Sequence, residues 1–106
     1  MTDQSPRNLT TTRDSQPRTE VSMVCEVRQG MTPWELARVY DLTPGGVKLK
    51  WLGLIDPTSP LRLKLPGLQM LTCRVVWVDG QFIGLQFASP LHPAVFDHLV
   101  AQHLPG

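Results

Sequence analysis

Tyr40-Asp41-Leu42-Thr43-Pro44-Gly45-Gly46-Val47-Lys48-Leu49 joins two apolar, strand-like runs through a tight turn. On an extended segment, side chains two residues apart share a face, so Asp41 and Thr43 project together. Such a face can offer a carboxylate acceptor and a hydroxyl to the edge of a base such as guanine. Gly46 permits φ > 0 or a close approach by backbone or ligand. The same residues also make an ordinary β-turn, with Asp41 and Thr43 capping their own backbone and Pro44 and Gly45 in turn positions. The stretch alone leaves both readings open.

Working outward, Val47, Leu49 and Trp51 alternate with Lys48, Lys50 and Leu52, a strand leaving the turn. Upstream, Leu36, Arg38 and Tyr40 oppose Glu35, Ala37 and Val39, and the adjoining turn favours a strand there. Val21, Met23, Cys25 and Val27 alternate in an earlier strand, and Leu61, Leu63 and Leu65 in a later one. The longest β signal is Gln69 to Val78, Asp79-Gly80, then Gln81 to Phe87. Asp-Gly between such runs marks a hairpin. A three-residue loop pairs Trp77 with Ile83, Val75 with Leu85 and Cys73 with Phe87. This places all six apolar side chains on one face, so burial selects it over a two-residue loop at Asp79-Gly80. Gln81 then occupies the left-handed position, and a bulge is expected to share the strain. Trp77 is expected in the core.

Pro93 suits a first helical position, and Val95, Phe96, Leu99 and Val100 form one apolar helical face. The spacing predicts a helix over about 92–103, a lid on apolar barrel surface. His92, His98 and His103 read as surface side chains; the latter two are poorly spaced for a metal. About six short strands followed by one helix predict a mainly β protein: a small six-stranded antiparallel β-barrel with a C-terminal α-helix.

The chain has 106 residues, which is one domain. Residues 1–17 are too polar to offset the entropy of ordering them, and are expected to form a disordered arm before a domain spanning 18–106. Net charge is +1, so there is no bulk field for nucleic acid or an anionic membrane. The three Trp, one Tyr and three Phe lie mostly at core-patterned positions, unlike a single-strand nucleic-acid barrel. Cys25 and Cys73 stand outside any zinc or redox motif and read as buried reduced thiols. There is no apolar run of about 18 residues and no apolar leader, so the expected location is the cytoplasm. No catalytic constellation, cofactor motif or metal set stands out, and an enzyme is not expected.

The order of elements and the residues at the turns resemble the PilZ domain, the bacterial receptor module for cyclic di-GMP. The family pattern of Asp or Asn, any residue, Ser or Ala, two residues and Gly is met by Asp41-Leu42-Thr43-Pro44-Gly45-Gly46, with Thr in place of Ser. The apolar pair, Trp, turn and Gly-containing strand are met by Val75-Val76-Trp77-Val78-Asp79-Gly80 and Ile83-Gly84-Leu85-Gln86-Phe87. A charged strand running into Leu-Pro-Gly is met by Leu61 to Gly67. The resemblance runs from about Arg18 to the C-terminus. The family's arginine pair, with three residues between, is met at Arg18 but not at Asp14; Arg13 stands one residue further out.

The resemblance implies a ligand site of Arg13, Arg18, Asp41, Thr43 and Gly46. The arginines would clamp phosphate and guanine, Asp41 and Thr43 would hydrogen-bond the ligand, and Gly46 would give it room. It implies a receptor without chemistry of its own that changes its surface on binding and signals to a protein partner. The alternative is a PilZ-like scaffold for protein interaction that does not bind cyclic di-GMP, to which the displaced arginine points.

Overall fold

The computed structural model describes residues 19–105. Six strands, β1 (Thr19–Arg28), β2 (Glu35–Thr43), β3 (Gly46–Lys50), β4 (Leu61–Lys64), β5 (Leu71–Asp79) and β6 (Phe82–Phe87), precede one helix, α1 (Pro93–Gln102). The strands close into a barrel in the order β1-β2-β3-β6-β5-β4, every pair antiparallel. The mainly β barrel with a C-terminal helix therefore matches the architecture read from the alternation. The expected arm over 1–17, which carries Arg13, lies outside the described residues, and so does Arg18.

The alternating apolar set fills the interior. Val21, Met23, Cys25 and Val27 of β1 meet Val39 and Leu42 of β2, Leu49 of β3, Leu61 and Leu63 of β4, and Ile83, Leu85 and Phe87 of β6 in one core. Phe96 and Leu99 bring the buried face of α1 to the same core, and Val95 and Val100 pack against it. Pro93 opens the helix, and the His92 ring accepts from the Ala94 N–H at 3.0 Å, satisfying one of the donors a helix start leaves free. His92 and His98 are exposed, while His103 is half-buried with its Nδ1 3.0 Å from the Leu99 carbonyl oxygen.

Cys25 and Cys73 are free and buried, and burial pushes each thiol up to about 12. The charge of Glu26 adds to the effect at Cys25, and the neighbouring Cys25 adds to it at Cys73.

The β5–β6 hairpin departs from the expected register near its turn. Cys73 pairs with Phe87 and Val75 with Leu85, but Trp77 pairs with Gly84, Val78 with Ile83 and Asp79 with Phe82. The turn residues are Gly80 and Gln81, and the left-handed φ of 61° falls on Gly80, where no Cβ opposes it. A bulge at Val76 absorbs the extra residue, so the core register is kept at one end and a two-residue turn is gained at the other. Trp77 consequently leaves the interior. Gly84 sits between buried Ile83 and Leu85, so its missing side chain would point outward, and there it would run into the Trp77 indole. Trp77 is half-buried against the outside of the barrel.

Candidate functional site

Asp41 and Thr43 flank fully buried Leu42 and are both half-buried, so they share the outer face. A bulge helps put them there. Val39 pairs with Leu49 and Asp41 with Lys48, leaving Tyr40 as an extra residue in β2. The inward position passes from Val39 to Leu42, and Tyr40 and Asp41 both turn outward.

The strand registers lay out two adjoining outer rows. In the first, Glu20 stands opposite Asp41, Asp41 opposite Lys48, Lys48 opposite Gly84, and Gly84 opposite Trp77. In the second, Thr43 stands opposite Gly46, Gly46 opposite Gln86, and Gln86 opposite Arg74, whose Nε donates to the Gln86 amide oxygen at 2.7 Å. Two glycines in the middle of the face leave a floor without side chains of its own; Trp77 covers it at Gly84.

Within that frame, the Lys48 ammonium lies 4.0 Å from the Asp41 carboxylate and 4.9 Å from the centre of the Phe82 ring. It is held loosely by both rather than locked to either. The Thr43 hydroxyl accepts from the Gly45 N–H at 3.2 Å and faces the Gly46 carbonyl at 3.4 Å. The turn-capping reading therefore holds for Thr43. A hydroxyl has one proton and two lone pairs, so one acceptor position is left for a further donor. Among the described residues the Asp41 carboxylate pairs with Lys48 alone, and that contact uses few of its acceptor positions.

Gly46 does not adopt a left-handed conformation. Its need is the close approach of β6: a Cβ there would collide with the Leu85 carbonyl oxygen. The turn also anchors the end of β6 and the segment leading to the helix. The Phe87 N–H donates to the Gly45 carbonyl at 2.8 Å, and the Leu91 N–H to the Pro44 carbonyl at 2.7 Å.

The structure thus brings Asp41, Thr43 and Gly46 together. Thr19 pairs with Leu42, so the chain that carries Arg18 joins the barrel one residue away from the Asp41–Thr43 pair. Lys48 and Arg74 were not singled out as site residues by sequence reasoning. Their signal was the alternation that sends Lys48 outward beside Asp41, but its meaning depends on a cross-strand register. Among the described residues no three His, Cys, Asp or Glu side chains are gathered to hold a metal. No described helix is long and apolar enough to cross a membrane.

A small closed barrel with a terminal helix and a polar outer face around a tight turn defines a module of the PilZ type. The family model for the PilZ domain matches residues 12–102, and the chain belongs to that family. Among solved structures, the fold is similar to the crystal structure of the PilZ domain of CeSA from a cellulose-synthesizing bacterium. That match has a TM-score of 0.56 at 16% identity and covers 81% of this chain and 92% of the other. No curated protein matches the chain.

Proposed function

We propose that this chain is a receptor module for cyclic di-GMP, without chemistry of its own, which reports ligand binding to a protein partner through a changed surface. The observation that carries the reading is the shared outer face of Asp41 and Thr43 beside the point where the Arg18 segment joins β1. Membership of the PilZ family supports the same ligand class.

In this reading the Asp41 carboxylate accepts from the N–H donors on a guanine edge, which match two acceptors side by side. The Thr43 hydroxyl, already tied to its turn, supplies one further acceptor. Gly46 keeps that part of the floor low enough for ligand and backbone to approach. Arg13 and Arg18 clamp phosphate and guanine with their planar forks, and the arm closes over the ligand as they engage. Lys48 is placed to exchange its weak contact with Asp41 for a phosphate oxygen. A ligand of this kind places the module in the cytoplasm.

Calorimetric titration with cyclic di-GMP tests this. Binding at micromolar or lower concentration is expected, lost in Arg18→Ala and weakened about 10- to 100-fold in Asp41→Ala, the effect of removing a charge-assisted hydrogen bond. Absence of heat at ligand far above micromolar would reject the reading and leave a PilZ-type scaffold for protein interaction.

A further inference from the structure

Away from the ligand face, a trough runs along the outside of β2 and the end of β3. Val24, Leu36, Ala37, Tyr40, Leu52 and Gly53 supply its apolar lining. It encloses about 540 Å³ and is open to solvent. Leu36 is 71% exposed and Leu52 75% exposed, with Val24 at 46% between other outward side chains. Single exposed leucines need no explanation, but several around one depression mark an interaction surface.

Two of the three charged side chains at this trough are cations. Arg38 and Lys50 stand directly opposite each other across β2 and β3 and both line it. The one acid in the lining, Glu35, accepts a 2.9 Å hydrogen bond from the Trp51 indole N–H. Arg38 spends one of its five N–H donors on the Ser22 hydroxyl at 3.1 Å, and among the described residues no carboxylate pairs with it.

The closed barrel narrows the kind of partner. Every strand has a hydrogen-bonded neighbour on each side for part of its length, and the exposed apolar groups along the trough are the side chains of Leu36, Tyr40 and Leu52. A partner that fits them is read through side chains. A depression walled by leucines takes the apolar face of a helix, and the two cations beside it select acidic flanks.

We infer that the trough formed by Leu36, Tyr40, Leu52, Arg38 and Lys50 is the docking site for an amphipathic, acidic helix of another protein. Its link to the ligand face runs through Tyr40. That ring packs edge-on against Phe82 with centroids 5.5 Å apart, and Phe82 carries the Lys48 ammonium that neighbours Asp41. Docking itself needs no nucleotide; coupling to cyclic di-GMP rests on the proposed receptor reading.

The probe is a synthetic helical peptide with leucines at helical positions i, i+3, i+4 and i+7 and glutamates on the flanks, beside the same peptide with lysine for glutamate. Amide chemical shifts of the full chain are followed during titration, with and without cyclic di-GMP. The glutamate peptide is expected to shift amides in Leu36–Tyr40 and Lys50–Gly53. Its affinity should fall about tenfold in the double variant Arg38→Glu/Lys50→Glu, the scale of two exposed charge pairs. In that variant the lysine peptide should become the better binder, a reversal that a damaged fold would not produce. The inference is overturned if neither peptide shifts these amides, if the two peptides bind equally, or if the same amides respond to protein concentration or to phosphatidylglycerol vesicles in place of peptide. Docking that cyclic di-GMP leaves unchanged would uphold the docking site and reject only the coupling.

Discussion

At the β2–β3 end of the barrel the ties run from backbone to backbone: Pro44 and Gly45 carbonyls hold the Leu91 and Phe87 amides, and the Ser22 N–H of β1 donates to the His103 carbonyl at 2.8 Å. At the opposite end the Trp51 N–H donates to the Gln81 carbonyl at 3.0 Å, but the long loop there is tied to β1 through side chains. The Gln29 amide donates to the carbonyls of Asp56 at 2.8 Å and Ser59 at 3.1 Å, and accepts from the Asp56 N–H at 2.9 Å. Asp56 in turn accepts from Thr58 and Ser59, which holds its carboxyl below the usual carboxylate range. Trp51 reaches Glu35 across the same end. A turn fixed by main chain keeps its geometry whatever its side chains do, and so does not need the Asp41 carboxylate to hold it. A loop fixed by one glutamine can be remodelled by one substitution.

The comparison can be broken most severely at Gly46. Gly46→Ala drives a Cβ into main chain that cannot swing away, and should cost about 3 kcal/mol or more, measured by urea unfolding. Gly84→Ala meets only the Trp77 indole, which can move, and should cost about 1–2 kcal/mol while changing Trp fluorescence. Equal losses at the two sites would show that the β3–β6 backbone is more yielding than the structure implies.

The core between the ends gives a pH control. Cys25 and Cys73 keep their protons in the folded state up to about 12, whereas the unfolded chain releases them near the ordinary value of 9.0. Their contribution is therefore complete below pH 9 and is lost as pH rises above it. Between pH 8 and 10 stability should fall by about 2–3 kcal/mol in the wild type, and by much less in Cys25→Ala/Cys73→Ala. A wild-type curve that tracks the double variant would contradict the buried thiols.

At the side-chain-tied end, Gln29→Ala removes three hydrogen bonds and should cost about 1–2 kcal/mol, with amide exchange rising in Gly53–Pro60 and not at Pro44–Gly46. Thr43→Val should be mildest, near 1 kcal/mol or below, because the Pro44 and Gly45 carbonyl bonds survive it. A larger loss for Thr43→Val than for Gln29→Ala would invert the comparison.

Much of this was legible because the strands alternate cleanly. Val21 to Val27 and Leu61 to Leu65 declare their buried faces, and Pro93 announces the helix. Asp41 and Thr43 could be placed on one face from spacing alone. The misreading of Trp77 has a physical origin: a bulge at Val76 moves one residue out of step, and alternation cannot show where a strand swallows an extra residue. Gly84 held a clue, since a glycine between buried neighbours invites something to lie across it. Gln29 gave no warning, because its partners are carbonyls more than 25 residues away.

Closure of the ring rests on β4. Seven residue pairs join β1 to β2, but β4 offers only three to each neighbour, and one of these sets Arg28 opposite Arg62. Like charges in directly opposed positions weaken a pair, and joining residue 26 to residue 64 requires a long loop to close. The barrel is in effect a curled five-stranded sheet fastened by a short latch. Breathing is expected to begin there, on the side of the molecule away from Asp41, so that transient opening of the ring leaves the Asp41–Thr43 face assembled.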